Sequence, residues 1–348
     1  MISPAPRPYN VVKIASIVGA VLVLGLLAWQ LTEVWVLVFA ATLFAIILRS
    51  FADQIEHYTP IPSPWSLMLA IALVALLAAA FVLLLGLQIK EQFTNLLDEL
   101  PQYVAAIGER LGIDDLEQQV ADGMEEASTD AGLLGLATEY TASTISAITS
   151  FGLILIIGIY LAANPQHYLR GVLKLVPVSY TERVGDALIN IGHALRRWLA
   201  GQLIIMVIVG TLISIGLTVI GLPSALALGF LAGVAEFVPI LGPILAAVPA
   251  ILIAFAEDRQ TLFWVIGLFV AVQQLESYVI MPLVQRQAVQ LPPVLTILSI
   301  VGFGILLGLP GIVMAAPLAV TLMVAVERLY VRQTLDKHVV VPGDQDEL

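Results

Sequence analysis

Polar residues are sparse along this chain, and the apolar runs between them are long. A helix needs about 20 largely apolar residues to cross a ~30 Å hydrocarbon core. Residues 14–32, 65–87, 140–162 and 198–220 meet that length, and 263–283 does so with Glu276 inside it. Residues 34–48, bounded by Glu33 and Arg49, are shorter and read as the second arm of a tight hairpin with the first run. The first run is too long for the apolar part of a signal peptide and carries no small-residue cleavage site, so a retained span is expected.

Two stretches depart from this simple pattern. Residues 222–256 and 291–326 are each about 35 residues long, roughly 52 Å if continuously helical. Both are interrupted near the middle, by Glu236-Phe-Val-Pro-Ile-Leu-Gly-Pro243 in the first and Gly308-Leu-Pro-Gly311 in the second. Proline removes a backbone donor and clashes with the preceding turn, so such sequences stop a helix. Two re-entrant hairpins of half-helices are expected, with one long kinked span each as the alternative. The stretches also repeat at an offset of 69: Leu222, Pro223, Leu226, Gly233, Gly242 and Ala246 match Leu291, Pro292, Leu295, Gly302, Gly311 and Ala315. Paired, interrupted apolar segments are the sequence pointer to a transporter binding site.

The fold class is therefore an all-α polytopic integral membrane protein, with about six transmembrane helices plus two re-entrant hairpins, eight apolar segments in all. Lysine and arginine orient it. With the N-terminus inside, twelve of the fifteen fall in cytoplasmic segments, and only Lys90, Arg110 and Arg259 fall outside. Both termini are then cytoplasmic. The organisation reads as three spans (1–87), an acidic extracytoplasmic segment (88–139), a fourth span (140–162) and a basic cytoplasmic linker (163–197). A transport core (198–330) holding the two interrupted repeats and a cytoplasmic tail (331–348) complete it.

Composition sharpens this picture in two ways. Hydrophobic residues make up 59% of the 348, with mean hydropathy +0.98, whereas charged residues make up 12%; an ordinary soluble domain carries roughly 25% charged residues. The formal charge of −11 is local: residues 88–139 hold twelve acids and two bases, Lys90 and Arg110. No basic face is left for nucleic acid. Ile89, Phe93, Leu96, Leu97, Leu100, Val104, Ile107 and Leu111 recur there at helical spacing, which predicts an amphipathic helix continuing from the third span. In the linker, Leu169, Val172, Leu173 and Val176, then Val184, Leu188, Ile191 and Leu195, predict helices at the inner membrane surface.

Candidate chemistry is narrow. The chain has no cysteine, its four histidines show no metal-ligand spacing, and it has neither a phosphate loop nor a nucleophile elbow. An enzyme is not expected, nor a cofactor. Ionisable residues inside apolar stretches cost free energy unless they have a partner or a role. Two qualify, Glu236 and Glu276. Glu236 ends a half-helix beside Pro239, Gly242 and Pro243, where free carbonyls and a helix C-terminus suit a cation or proton; a structural cap is the competing reading. Glu276 sits in Gln273-Gln274-Leu-Glu276, with Gln273 on its helix face; helix-to-helix hydrogen bonding competes there. Gly308, Pro310 and Gly311 mark the second break, whose following half-helix would favour anionic or hydroxyl oxygens of a solute.

From Tyr160 onward these residues resemble the autoinducer-2 exporter family, the PerM-like permeases. The likeness lies in Trp198-Leu-Ala-Gly-Gln202, Gly221-Leu-Pro223, Gly229-Phe-Leu-Ala-Gly-Val-Ala-Glu-Phe-Val-Pro-Ile-Leu-Gly-Pro243, Gln273-Gln-Leu-Glu276, Pro282, Pro292, Gly302 and the run from Gly308 to Pro317. Asn164 and Leu241 depart from the family's usual residues. The resemblance implies a bacterial inner-membrane transporter for autoinducer-2, or a Na⁺(Li⁺)/H⁺ antiporter, assembled as a homo-oligomer, a pentamer. The expected function is secondary transport that exports a small polar metabolite and is coupled to an ion. Na⁺ or H⁺, the solute and the lipid bilayer are the expected partners. A non-transporting membrane scaffold with the acidic segment as docking surface is the reading from another class.

Overall fold

The computed structural model describes residues 30–81, 149–284 and 291–332, with isolated positions between 15 and 26 and between 83 and 92. Most of the run at 14–32, most of the acidic segment and nearly all of the tail lie outside the described residues. Every regular element among the described residues is helical.

Helix α1 (Thr32–Tyr58) continues well past the apolar run that predicts it. Polar contacts hold the extension. Arg49 Nε meets Asp53 Oδ1 at 2.9 Å one turn on, and Asp53 Oδ2 also accepts from Arg196 Nη1 at 2.5 Å. Arg196 Nε donates to Ser50 Oγ at 3.1 Å. Glu56 Oε1 accepts from Ser66 Oγ at 2.5 Å, which lies near the start of helix α2 (Ser63–Phe81). Charges that would end a span thus carry the helix beyond it. Helix α3 (Thr149–Ala163) packs on α1 and α2 through Ala45, Leu48, Ala52, Leu67, Ala70 and Ala162.

At Asn164 the chain turns sharply. Helix α4 (Pro165–Leu173) leaves α3 at 89°. Proline excludes the residue before it from the helical region, and Asn164 has φ −136°, ψ 57°. After a short turn at Val178–Tyr180, helix α5 runs unbroken from Thr181 to Ile220, 40 residues or about 60 Å. The linker's second apolar stripe and the span at 198–220 are therefore one rod, because nothing between them stops a helix. It is about twice the thickness of a hydrocarbon core. Gly221, at φ 86°, ends it by donating to the carbonyls of Leu217 and Thr218, a left-handed glycine cap.

The first broken stretch follows as α6 (Ala225–Ala235) and α7 (Leu241–Glu257). Helix α6 lies on α5 almost backbone to backbone: a Cβ on Gly229 would sit 2.0 Å from Ser214 Oγ, and one on Gly233 2.8 Å from the Met206 carbonyl. Asp258 then stops α7 and caps helix α8 (Arg259–Val284), its Oδ1 accepting from the Gln260 and Thr261 amides at 2.6 and 2.9 Å. Helices α5 to α8 share one apolar cluster, which includes Ile205, Ile213, Leu228, Ala250, Ile253 and Val265.

The second stretch forms α9 (Pro293–Leu307), α10 (Leu309–Val313) and α11 (Ala315–Val326). Helix α11 packs on α5 and α1 through Ala316, Val320 and Val324 against Leu43, Ala194, Leu195, Trp198 and Leu199. Both predicted breaks are present, and each separates short helices. Among the described residues three helices are long and apolar enough to cross a membrane, or four if α3 and α4 form one bent span.

Candidate functional site

The first break brings the site together. Helix α6 ends at Ala235, and the next amides tighten into short-range bonds, Phe237 N–H to Val234 O at 3.1 Å and Val238 N–H to Ala235 O at 3.0 Å. Leu241 N–H then bonds to the Pro239 carbonyl at 2.9 Å, closing a three-residue turn around Ile240. Ile240 has φ 73°, ψ −53°, a γ-turn geometry that is rare and strained, the more so for a β-branched side chain. Gly242 allows the chain to re-enter a helix here: a Cβ on it would sit 1.9 Å from the Ala235 carbonyl oxygen.

This turn delivers Glu236 to the interior. Its residue is 1% exposed, and its main-chain carbonyl, an orphan of the helix end, accepts from Gln202 Nε2 of α5 at 2.7 Å. Glu276 comes from α8 at another irregularity. Met281 N–H bonds to the Glu276 carbonyl five residues back, which makes Glu276–Ile280 a π turn. Pro282 explains it, because proline lacks a donor and crowds the preceding turn; such bulges are frequent at functional sites. Glu276 is 6% exposed and accepts from Gln273 Nε2 at 3.2 Å.

The side chains of Glu236 and Glu276 come together at one pocket. They face a cavity of about 10 Å³, lined also by Val209, Ile213, Ala232, Pro243, Phe269, Val272 and Gln273, which is close to the lower limit for one water. Glu236 Oε2 is buried and has no hydrogen-bond partner among the described residues. Buried polar atoms are nearly always satisfied, so one left over calls for a ligand, a water or a proton.

Of the residues singled out by sequence, Glu236, Pro243, Gln273 and Glu276 therefore meet, and Pro239 and Gly242 shape the turn. Gln274 is exposed on another side of α8. Gly308, Pro310 and Gly311 lie at the second break and do not line the cavity. What joins the breaks is apolar: Phe237 stacks edge-on to Trp198, ring centres 5.9 Å apart, in the cluster that Met314 and Leu291 also touch. Gln202, which is not ionisable, is the polar group at this break that the membrane acids do not point to. Its signal was present, since it is the one amide side chain in the apolar run 198–220.

Carboxyl groups buried where apolar helices break are the arrangement of membrane transport proteins. The comparisons with known proteins agree, and they make the chain a member of the AI-2E transporter family: residues 18–331 match the family described as AI-2E family transporter. "Putative transport protein YueF" of Bacillus subtilis (strain 168) is 28% identical over 267 residues, 72% of this chain and 71% of that protein. "Putative transport protein YrrI" of the same strain is 29% identical over 165 residues, 47% of each. "Putative transport protein sll0060" of Synechocystis is 23% identical over 295 residues, 80% of this chain and 83% of that protein.

Proposed function

We propose that this protein is a multi-pass secondary transporter of the bacterial inner membrane that exports a small polar metabolite, with the Glu236–Glu276 pair coupling the flux to an ion. Autoinducer-2 is the candidate solute. The observation that carries the reading is the pair itself, two buried carboxyls lining one small cavity, with one oxygen unpartnered. Both ionised, they would place two adjacent negative charges in an apolar core, an arrangement that demands a cation or a proton. A site that exchanges one for the other, while the strained turn at Ile240 opens to either side in turn, links ion movement to solute movement. The lysine and arginine bias supports cytoplasmic termini, and the family resemblance supports a homo-oligomer, a pentamer.

Exchange of Na⁺ or Li⁺ for H⁺, without a metabolite, is the second reading. The cavity favours it, because about 10 Å³ admits a water-sized particle and no metabolite. The two are separated by measuring flux of labelled autoinducer-2 and Na⁺- or Li⁺-driven dequenching of a pH dye in the same proteoliposomes. Metabolite flux that follows the ion gradient supports export; dequenching alone supports antiport. If Glu236→Gln leaves both signals unchanged across pH, the coupling role of the pair is wrong.

A further inference from the structure

We propose that residues 165–180 form an in-plane anchor that binds the anionic lipid surface of the cytoplasmic leaflet. The proposal rests on the reading that α3 crosses the bilayer, and it uses nothing of the carboxyl site. Helix α4 leaves the apolar helix α3 at 89°. A segment turned through a right angle where a span ends lies along the membrane surface.

One side of α4 is already taken. Leu169, Leu173 and Val176 are half-buried, and Leu173 Cδ1 would be 3.5 Å from a Cβ placed on Gly185 of α5. A second side is bare. Tyr168 and Val172, four residues apart on α4, share a face, and Leu175 and Val178 lie in the turns that follow it. All four are exposed, Leu175 by 86% and Val178 by 93%. Amphipathic segments of this kind bury their apolar face at the boundary between headgroups and acyl chains.

Charge selects the lipid. Between residues 163 and 185 stand three cations, Arg170, Lys174 and Arg183, against one acid, Glu182, and all three cations are exposed. A helix is only ~10–12 Å across, so cations on its aqueous side remain near one Debye length, ~8–10 Å, of the headgroups. A protein occupant fits worse: four side chains cannot supply the roughly 800 Å² per partner of a standard protein interface.

The cysteine-free sequence allows a direct test on the full chain in lipid nanodiscs. Single cysteines replacing Leu175, Val178 and, as the aqueous control, Gln166 are spin-labelled, and their access to oxygen and to a water-soluble nickel chelate is compared. The expected result is oxygen access with chelate exclusion at 175 and 178, and the reverse at 166. In phosphatidylglycerol discs, Arg170→Gln with Lys174→Gln lowers the ratio of inserted to withdrawn label by up to about fivefold per cation, with no change in phosphatidylcholine discs. Labels at 175 and 178 as chelate-accessible as at 166 overturn the anchor. Labels shielded from both reagents overturn it in favour of a protein cover, a second copy if the shielding needs two chains per disc. A ratio unmoved by charge removal in anionic discs overturns the headgroup preference.

Discussion

The two broken stretches are built on one pattern and do different things. At the offset of 69, Gly242 corresponds to Gly311, and both are forced: a Cβ would sit 1.9 Å from the Ala235 carbonyl oxygen in one case and 2.0 Å from that of Phe303 in the other. Each break thus presses a glycine at the matching position against a carbonyl, seven residues back in the first and eight in the second. The chemistry is not repeated. The counterpart of Glu236 is Ile305, which is 80% exposed. The first break turns on a strained isoleucine, Ile240 at φ 73°, whereas the second turns on Gly308 at φ 67°, ψ −149°, a region essentially reserved for glycine. The repeat supplies architecture, and Glu236 with the strained turn sets the first copy apart as the candidate site.

That contrast breaks most sharply at the carboxyls. Glu236→Gln removes the proposed proton-exchanging group, and ion-coupled flux in proteoliposomes is expected to fall to the level of empty vesicles while Ile305→Gln leaves it intact. Equal losses from the two substitutions would mean that the breaks are equivalent. Next in size is the shared backbone. Gly242→Ala and Gly311→Ala each press a methyl group into a carbonyl, and each costs about 1–3 kcal/mol or more of stability, read as lowered thermal midpoints in detergent. A large difference between them would show that the repeat is not mechanical.

Gln202 tests what is unique to the first break. Gln202→Leu leaves the Glu236 carbonyl buried and unpaired, at about 1–3 kcal/mol. It also shifts the pH profile of transport, because the backbone that carries the carboxyl loses its tie to α5. A stability loss with an unmoved pH profile would reduce Gln202 to a structural cap. Ile240→Gly relieves about 1–2 kcal/mol of backbone strain. It raises the midpoint and slows transport if the strain belongs to the working cycle; faster transport with higher stability would contradict that.

The smallest effect lies outside the membrane-spanning segments. Burial pushes the Glu327 carboxyl above the usual carboxylate range, and the neighbouring Arg328 opposes the shift in part. A carboxyl with a raised folded-state pKa contributes least once pH has climbed through that value, since the folded state then holds an unfavourable charge. Glu327→Gln should therefore stabilise more at pH 8 than at pH 5, in thermal scans at both.

Much of this was legible from residue order. The breaks fall where Pro239, Gly242, Pro243 and Gly308 predict them, because helix termination is local chemistry. The approach of Glu236 to Glu276 is not legible, although both acids stand out, because it depends on how α6 and α8 each pack on α5 and α7. The exposure of Gln274 beside the half-buried Gln273 was hidden likewise: two adjacent amides look alike until a partner helix chooses a face. The unbroken run of α5 through residue 197 was missed for another reason. Polarity marks where a membrane ends, and a helix ends only where its hydrogen bonding stops.

The central claim is that the Glu236–Glu276 pair exchanges a proton during transport. Proton release can be read directly with a pH-sensitive dye in weakly buffered, detergent-solubilised protein on addition of Na⁺, Li⁺ or autoinducer-2. The account predicts about one proton released per chain from the native protein by at least one of these ligands, and none from Glu236→Gln. Equal release from both, or ligand binding by the native protein with no release, would contradict it.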